Sequence, residues 1–214
     1  PPCTAAITVW QAMRSPTIAW MAALTFLAYI GQYTFVFWFP TMLKRLTGFT
    51  DMRVGMVGAL PFLAAFVTMQ INGWHSDKLA ERRWHSAMPL FVAGIAYFFL
   101  SIPGHSVAFT ISWFTVAGVL TAYLSTFWAI PTEILSQAEA ATAVGLINSV
   151  GSIAGFAGPY IFGYVYTRTG ASFSLGLRLV MAAVFIAGLM ILRIPRAVTK
   201  VSASPIVKPA SVRS

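Results

Sequence analysis

The sequence predicts an all-α membrane protein of six transmembrane helices, and three observations carry that prediction. Of its 214 residues 58% are hydrophobic and only 9% charged, against about 25% charged in a typical soluble domain, and mean hydropathy is +0.77. The apolar residues fall into long uncharged runs, among them 15–43, 54–76, 84–132 and 140–167. Between the second and third of these runs, segment 73–83 packs five of the nineteen charged residues. A short charged turn between two such runs is the pattern of a membrane hairpin.

A hydrocarbon core about 30 Å thick takes about 20 helical residues. The run 15–43 therefore holds one span, placed at 17–39, and a second follows at 54–74. The run 84–132 is too long for one helix and holds two, at 86–102 and 106–130, with Pro103, Gly104 and His105 turning the chain between them. The fifth span is placed at 142–166 and the sixth at 172–192, where Arg178 must snorkel toward the nearer interface. This leaves 1–16 as an N-terminal cytoplasmic segment, 17–193 as the transmembrane unit and 194–214 as a tail of Pro, Ser, Val and Ala, expected to be disordered. The start, Pro1, Pro2 and Cys3, has no basic n-region and no cleavage site. It reads as part of a longer reading frame and not as a signal peptide.

Six spans put both termini on one side of the membrane. That side collects nine basic residues, Arg14, Lys78, Arg82, Arg83, Arg193, Arg196, Lys200, Lys208 and Arg213, against five on the other, Lys44, Arg45, Arg53, Arg168 and Arg178. The positive-inside rule then makes the termini and the charged turn cytoplasmic. It also accounts for the net charge of +9 better than nucleic acid does, since no basic stripe runs along one soluble face. A single cysteine excludes an intramolecular disulfide, and no His or Cys pair has metal-ligand spacing. The histidines, His75, His85 and His105, are scattered singly, which speaks against a membrane enzyme.

Within the charged segment the order is Gly73, three residues, Asp77, Lys78, and then Arg82 and Arg83. Physically, Gly73 lets two helix ends approach, Asp77 caps or ion-pairs at a helix terminus, and the three basic residues hold the loop at the surface. The alternative is a plain positive-inside loop. The spacing resembles the signature loop of the major facilitator superfamily, found between the second and third helices of each six-helix half. It departs at Ala80, where the family usually has a second glycine. Segments 33–43, 82–85, 127–132 and 145–163 resemble the C-terminal half of that superfamily's anion:cation symporter branch, which includes carriers for tartrate, phthalate and galactonate. The resemblance covers residues 10–195, in order. It implies that the six spans are helices 7–12 of a twelve-helix carrier in a bacterial cytoplasmic membrane. It also implies a missing N-terminal six-helix half as partner, a small organic anion as substrate, and protons as the coupling ion. No cofactor, metal or catalytic residue is implied.

The residues themselves have the chemistry of a solute cavity. Tyr29, Gln32 and Tyr33 fall on one face of the first span, where such groups are costly against lipid. The alternative is an interfacial tyrosine with Gln32 bonded to a neighbouring helix. Thr121, Ser125 and Trp128 make a similar stripe in the fourth span, with the alternative that the hydroxyls bond back to their own helix. In the fifth span Gly151 and Gly155 stand at GxxxG spacing, followed by Gly158 and by Pro159, which is expected to break the helix locally. Asn148 and Ser152, one turn apart, are either helix-packing glue or substrate ligands. The resemblance, which places this span toward the central cavity, favours ligands. Glu133 and Glu139 read as solvated loop residues. Two functions are open: half of a secondary carrier for an organic anion, or a self-sufficient six-helix channel or membrane scaffold.

Overall fold

The computed structural model describes residues 8–195. Cys3 and all but the first two residues of the expected tail therefore lie outside the described residues. Every element among them is helical.

A first helix falls inside the expected N-terminal segment. Thr8 Oγ1 accepts from the Gln11 N–H and Gln11 Oε1 accepts from the Thr8 N–H at 2.9 Å, a capping box. It starts α1, Val9–Arg14, whose Ala12 is fully buried. Pro16, with φ already suited to a helix, opens α2, Pro16–Thr47. This helix does not stop at Phe39 as expected. It accommodates Pro40, keeps Met42 and Leu43 buried, and ends at Gly48, where φ is +71°. Its 32 residues span about 48 Å, so its ends project beyond the hydrocarbon core.

The second long helix, α3, runs Asp51–Leu79. Gly73, Asp77 and Lys78, expected in a loop, therefore belong to its last two turns, and the loop itself is only 80–82. Nothing between Gly73 and Leu79 breaks a helix, and the chain turns only at Ala80, with φ 49° and ψ 36°. The Glu81 N–H then donates to the Ser76 carbonyl at 3.2 Å, closing a Schellman-type end. Ala80 occupies the position where the signature loop usually has glycine, and an alanine held left-handed costs about 1 kcal/mol.

Next, α4 runs Arg83–Leu100 and α5 Val107–Gly118, with Gly104 at φ +88° in the turn between them. The expected fourth span is not one straight helix. After α5 come a 3-10 segment, Val119–Tyr123, then α6, Leu124–Phe127, and α7, Ala129–Ile134. Hydroxyls compete with the backbone ladder along this stretch: Thr121 donates to Gly118 O, Ser125 to Ala122 O and Thr126 to Tyr123 O, at 3.3, 2.9 and 3.1 Å. A second capping box, Ser136 with Glu139, opens α8, Gln137–Arg168, so Glu139 is a helix cap rather than a free loop residue. The helix passes through Pro159 without the expected break. Last comes α9, Ser174–Leu192; its Arg178 reaches the buried Ser101 hydroxyl of the α4–α5 turn at 3.4 Å.

Among the described residues five stretches are long and apolar enough to cross a membrane: Pro16–Thr47, Asp51–Leu79, Val107–Ile134, Glu139–Arg168 and Ser174–Leu192. The expected third span is present as α4, but with only 18 residues, and Arg83 and His85 in its first turn, it falls short of that measure. Packing centres on α2, which lies against α8 along one side and α9 along another; α4 lies on α9, and α3 crosses α5 and the 3-10 segment. At Gly31 three elements converge, since an added Cβ would meet Val184 at 2.3 Å and Leu120 at 3.4 Å. Of these five stretches α3 and α8 are the least covered: the apolar window of α3 is 17% buried and that of α8 28%, against 50% for α2. Their outer faces are left for lipid or for another body.

Candidate functional site: a polar seam and a charged latch

Glycines bring α8 onto α2. A Cβ at Gly151 would lie 2.7 Å from Thr25 Cγ2, one at Gly158 2.8 Å from Thr34 Oγ1 and 3.0 Å from the Ile30 carbonyl, and one at Gly155 would touch the Tyr33 ring at 3.4 Å. Only residues without side chains allow this approach. Just beyond, the Trp38 indole N–H donates to the Pro159 carbonyl at 3.1 Å. Pro159 thus serves the seam through its carbonyl.

The close approach places a small set of polar groups together. Tyr29 donates its hydroxyl to Asn148 Oδ1 at 3.2 Å, the Trp128 side chain reaches the same hydroxyl, and Tyr33 packs edge-on against Tyr29 with ring centroids 5.5 Å apart. Because the Asn148 carbonyl oxygen is occupied by Tyr29, its two amide N–H groups are left to donate elsewhere. Gln32, on the same helix, has a buried Oε1 with no hydrogen-bond partner among the described residues. Tyr33, Trp128 and Asn148 are therefore gathered around Tyr29.

Two expected members stand apart from that cluster. Ser152 is exposed and bonds back to the Asn148 carbonyl at 2.8 Å. Ser125 bonds back to its own helix and faces Gly73 of α3, whose Cβ would lie 3.6 Å from it. Sequence reasoning missed Tyr123, which the 3-10 segment buries completely and whose hydroxyl has no hydrogen-bond partner among the described residues. A lone tyrosine in an apolar run looks like any core aromatic.

The second cluster lies at the end of α3. Arg82 donates to Asp77 Oδ1, to the Ser76 hydroxyl at 3.2 Å, and through Nε to Glu133 Oε1 at 2.9 Å. One guanidinium thus ties the last turn of α3 to the end of α7. Glu133 is exposed as expected, but it belongs to α7 and is paired with Arg82 rather than standing in a loop. The signal that could have found it was topological, since a carboxylate closing the fourth span lies on the same membrane side as the charged turn. Lys78 sits over the Trp74 ring at 5.2 Å, and Arg83 Nε is buried with no hydrogen-bond partner among the described residues. Glu81 caps α4 by accepting the Arg83 and Trp84 N–H groups at 3.0 and 2.9 Å. Burial alone would raise its carboxyl, but hydrogen bonds from Trp84 and His85 outweigh it and hold the group below the usual carboxylate range.

Removing Arg82 leaves two carboxylates facing one another. Arg82→Ala is expected to destabilise the chain by about 1–2 kcal/mol, at the upper end for partly exposed pairs because one fork serves both acids. Arg82→Lys recovers less than half, since an ammonium cannot span both. Denaturant midpoints in detergent measure it; an Arg82→Ala chain of unchanged stability would show the latch to be passive.

Residues 2–159 match the model of the Major Facilitator Superfamily. Among curated relatives, a protein of Agrobacterium vitis named for tartrate transport is 31% identical over 200 residues, 92% of this chain and 43% of that protein. The inner membrane transport protein RhmT of Escherichia coli is 30% identical over 89% of this chain and 44% of its own length. A Bacillus subtilis protein named for galactarate and D-glucarate transport is 30% identical over 67% and 34%. The chain spans less than half the length of these relatives. All three are named as transporters or transport proteins. With three quarters of its length matched by the family model and its fold built of long apolar helices, the chain belongs to the Major Facilitator Superfamily.

Proposed function

We propose that the chain is the C-terminal six-helix half of a secondary transporter that moves a small organic anion across the bacterial cytoplasmic membrane, coupled to protons, by alternating access. Counting α4 as the third span gives six, with both termini on the side of the charged turn. The observation that carries the reading is the α2–α8 seam, where Asn148, Tyr29 and Tyr33 meet with Trp128 beside them. Neutral donors of this kind orient a carboxylate or hydroxyl, the groups that tartrate and galactarate carry. A relationship to carriers named for those anions supports the substrate class.

The uncovered sides of α3 and α8 support a second body. On α8, Gly145 faces open space and Ser149 and Ser152 are exposed, a small and polar strip better suited to a close helix partner than to lipid. The Asp77–Arg82–Glu133 latch then lies where the halves would rock, with Gly73 packed on Ser125 beside it.

Asn148 gives the test. In the carrier assembled from both halves, Asn148→Ala should weaken binding of a tartrate-class anion about tenfold, one hydrogen bond and its desolvation cost. Tyr29→Phe should have a smaller effect, because it removes only the group that orients Asn148. Isothermal titration measures both, and unchanged affinity in Asn148→Ala would remove the seam from the binding site.

A further inference from the structure

The histidines that the sequence scatters singly are not all apart in the fold. The last turns of α3 bring His75 to the first turn of α4, where its Nδ1 lies 2.7 Å from Nε2 of His85, ring centroids 4.9 Å apart. On its other side His85 Nδ1 is 3.1 Å from Glu81 Oε2. Asn72 fixes the backbone beneath them, its amide donating to the carbonyls of His85 and Ala122 at 2.9 and 3.0 Å. The pair forms the polar end of a cavity of about 270 Å³ between α3, α4 and the 3-10 segment, otherwise walled by Ile71, Met88, Val92 and Val119.

The bond directions follow from the carboxylate. Ionised Glu81 can only accept, so His85 carries its proton on Nδ1, and its Nε2 must accept from His75 Nδ1–H. The neutral chain His75→His85→Glu81 is then complete, and only His75 Nε2 stays open. His75 is exposed to water, whereas the His85 side chain is 14% exposed. A first added proton enters on His75 Nε2 without disturbing any bond. A second must go to His85 Nε2, where it would point an N–H at the His75 N–H. The His75–His85 hydrogen bond cannot survive that.

We propose that His75, His85 and Glu81 form a one-proton binding site, loaded from the aqueous phase at the charged turn, whose second protonation breaks the His75–His85 hydrogen bond between α3 and α4. Around it α3 contributes Asp77 and Lys78, the loop Arg82, α4 Arg83 and α7 Glu133. Asp77, Arg82 and Glu133 are committed to one another. The ionisable group of the 3-10 segment, Tyr123, is fully buried. That leaves Glu81 as the acid bonded to the pair, a single negative charge that compensates one imidazolium and not two. Imidazoles titrate in the neutral range, so the site would report cytoplasmic or external acidification depending on the orientation of the turn. This inference is independent of what the carrier moves.

Imidazole ¹⁵N NMR of the histidine-labelled 214-residue chain in nanodiscs tests it, with His→Gln variants for assignment. At neutral pH, His85 should be the Nδ1–H tautomer, and a scalar coupling between ¹⁵N nuclei should be visible across the His75–His85 hydrogen bond. On acidification the pair should take up its protons in two steps differing at least tenfold in affinity. The coupling should vanish in the second step. An Nε2–H tautomer at His85, or a coupling that persists once both rings are protonated, would overturn the proposal.

Discussion

Replacing Gly118 with alanine destabilises the fold by about 3 kcal/mol, the upper range for overpacking a helix contact. The methyl carbon would lie 2.4 Å from the Pro61 carbonyl oxygen and 2.8 Å from the carbonyl carbon of the same residue. Those atoms are backbone, inside α3, and cannot rotate away as a side chain can. Either α3 lifts off the fourth span or the 3-10 segment that follows Gly118 rearranges, and both lose packing around the fully buried Leu120 and Tyr123. Gly31 makes a useful contrast. Its nearest neighbour, at 2.3 Å, is a valine methyl, so a rotamer change relieves part of the clash, and about 1–2 kcal/mol is expected. Gly145 faces open space, and alanine there should be neutral or stabilising by up to about 1 kcal/mol from helix propensity alone. Denaturant midpoints of the three variants in one detergent provide the comparison. Equal stability of Gly118→Ala and Gly145→Ala would mean that α3 does not cross the fourth span at this point.

The long apolar helices were legible because hydrocarbon thickness and charge exclusion act on every residue of a run. Where a local signal competed with tertiary contacts, the reading went astray. Seven residues of the charged segment, ending at Leu79, continue α3, since charge marks the membrane boundary but does not by itself end a helix. Pro159 was expected to break α8, yet the helix continues through it, packed closely against α2. The fourth span looked uniform, and its 3-10 segment, where hydroxyls compete with the backbone ladder, follows a close crossing with α3 at Gly118 that no single-sequence pattern displays. The seam was partly legible: Asn148 and Tyr33 are polar in apolar spans and attract notice, whereas Tyr123 does not. Long-range pairs were the least visible. Arg82 with Glu133, 51 residues away, and His75 with His85 depend on which helix ends meet, and that is decided by the packing of the whole bundle.

Complete loss of transport is expected of the 214-residue chain on its own. The groups gathered in the α2–α8 seam are neutral, and each hydrogen bond they make is worth about 1 kcal/mol net, whereas an anion moved into a low-dielectric cavity without a paired cation faces several kcal/mol. The basic residues nearest the far ends of those helices are already engaged: Arg45 donates to the Tyr166 hydroxyl, Lys44 pairs with Asp51 at 2.5 Å, and Arg168 lies over the Tyr164 ring. A complementary half would supply the cation, and it would also be the body against which this one rocks. The direct measurement is uptake of radiolabelled tartrate into proteoliposomes under an imposed proton gradient. The chain alone should give the background of empty vesicles, and the chain joined to its complementary six-helix half should give saturable, gradient-dependent uptake. Saturable uptake by the isolated chain, or none by the joined halves when both are folded, would contradict the account.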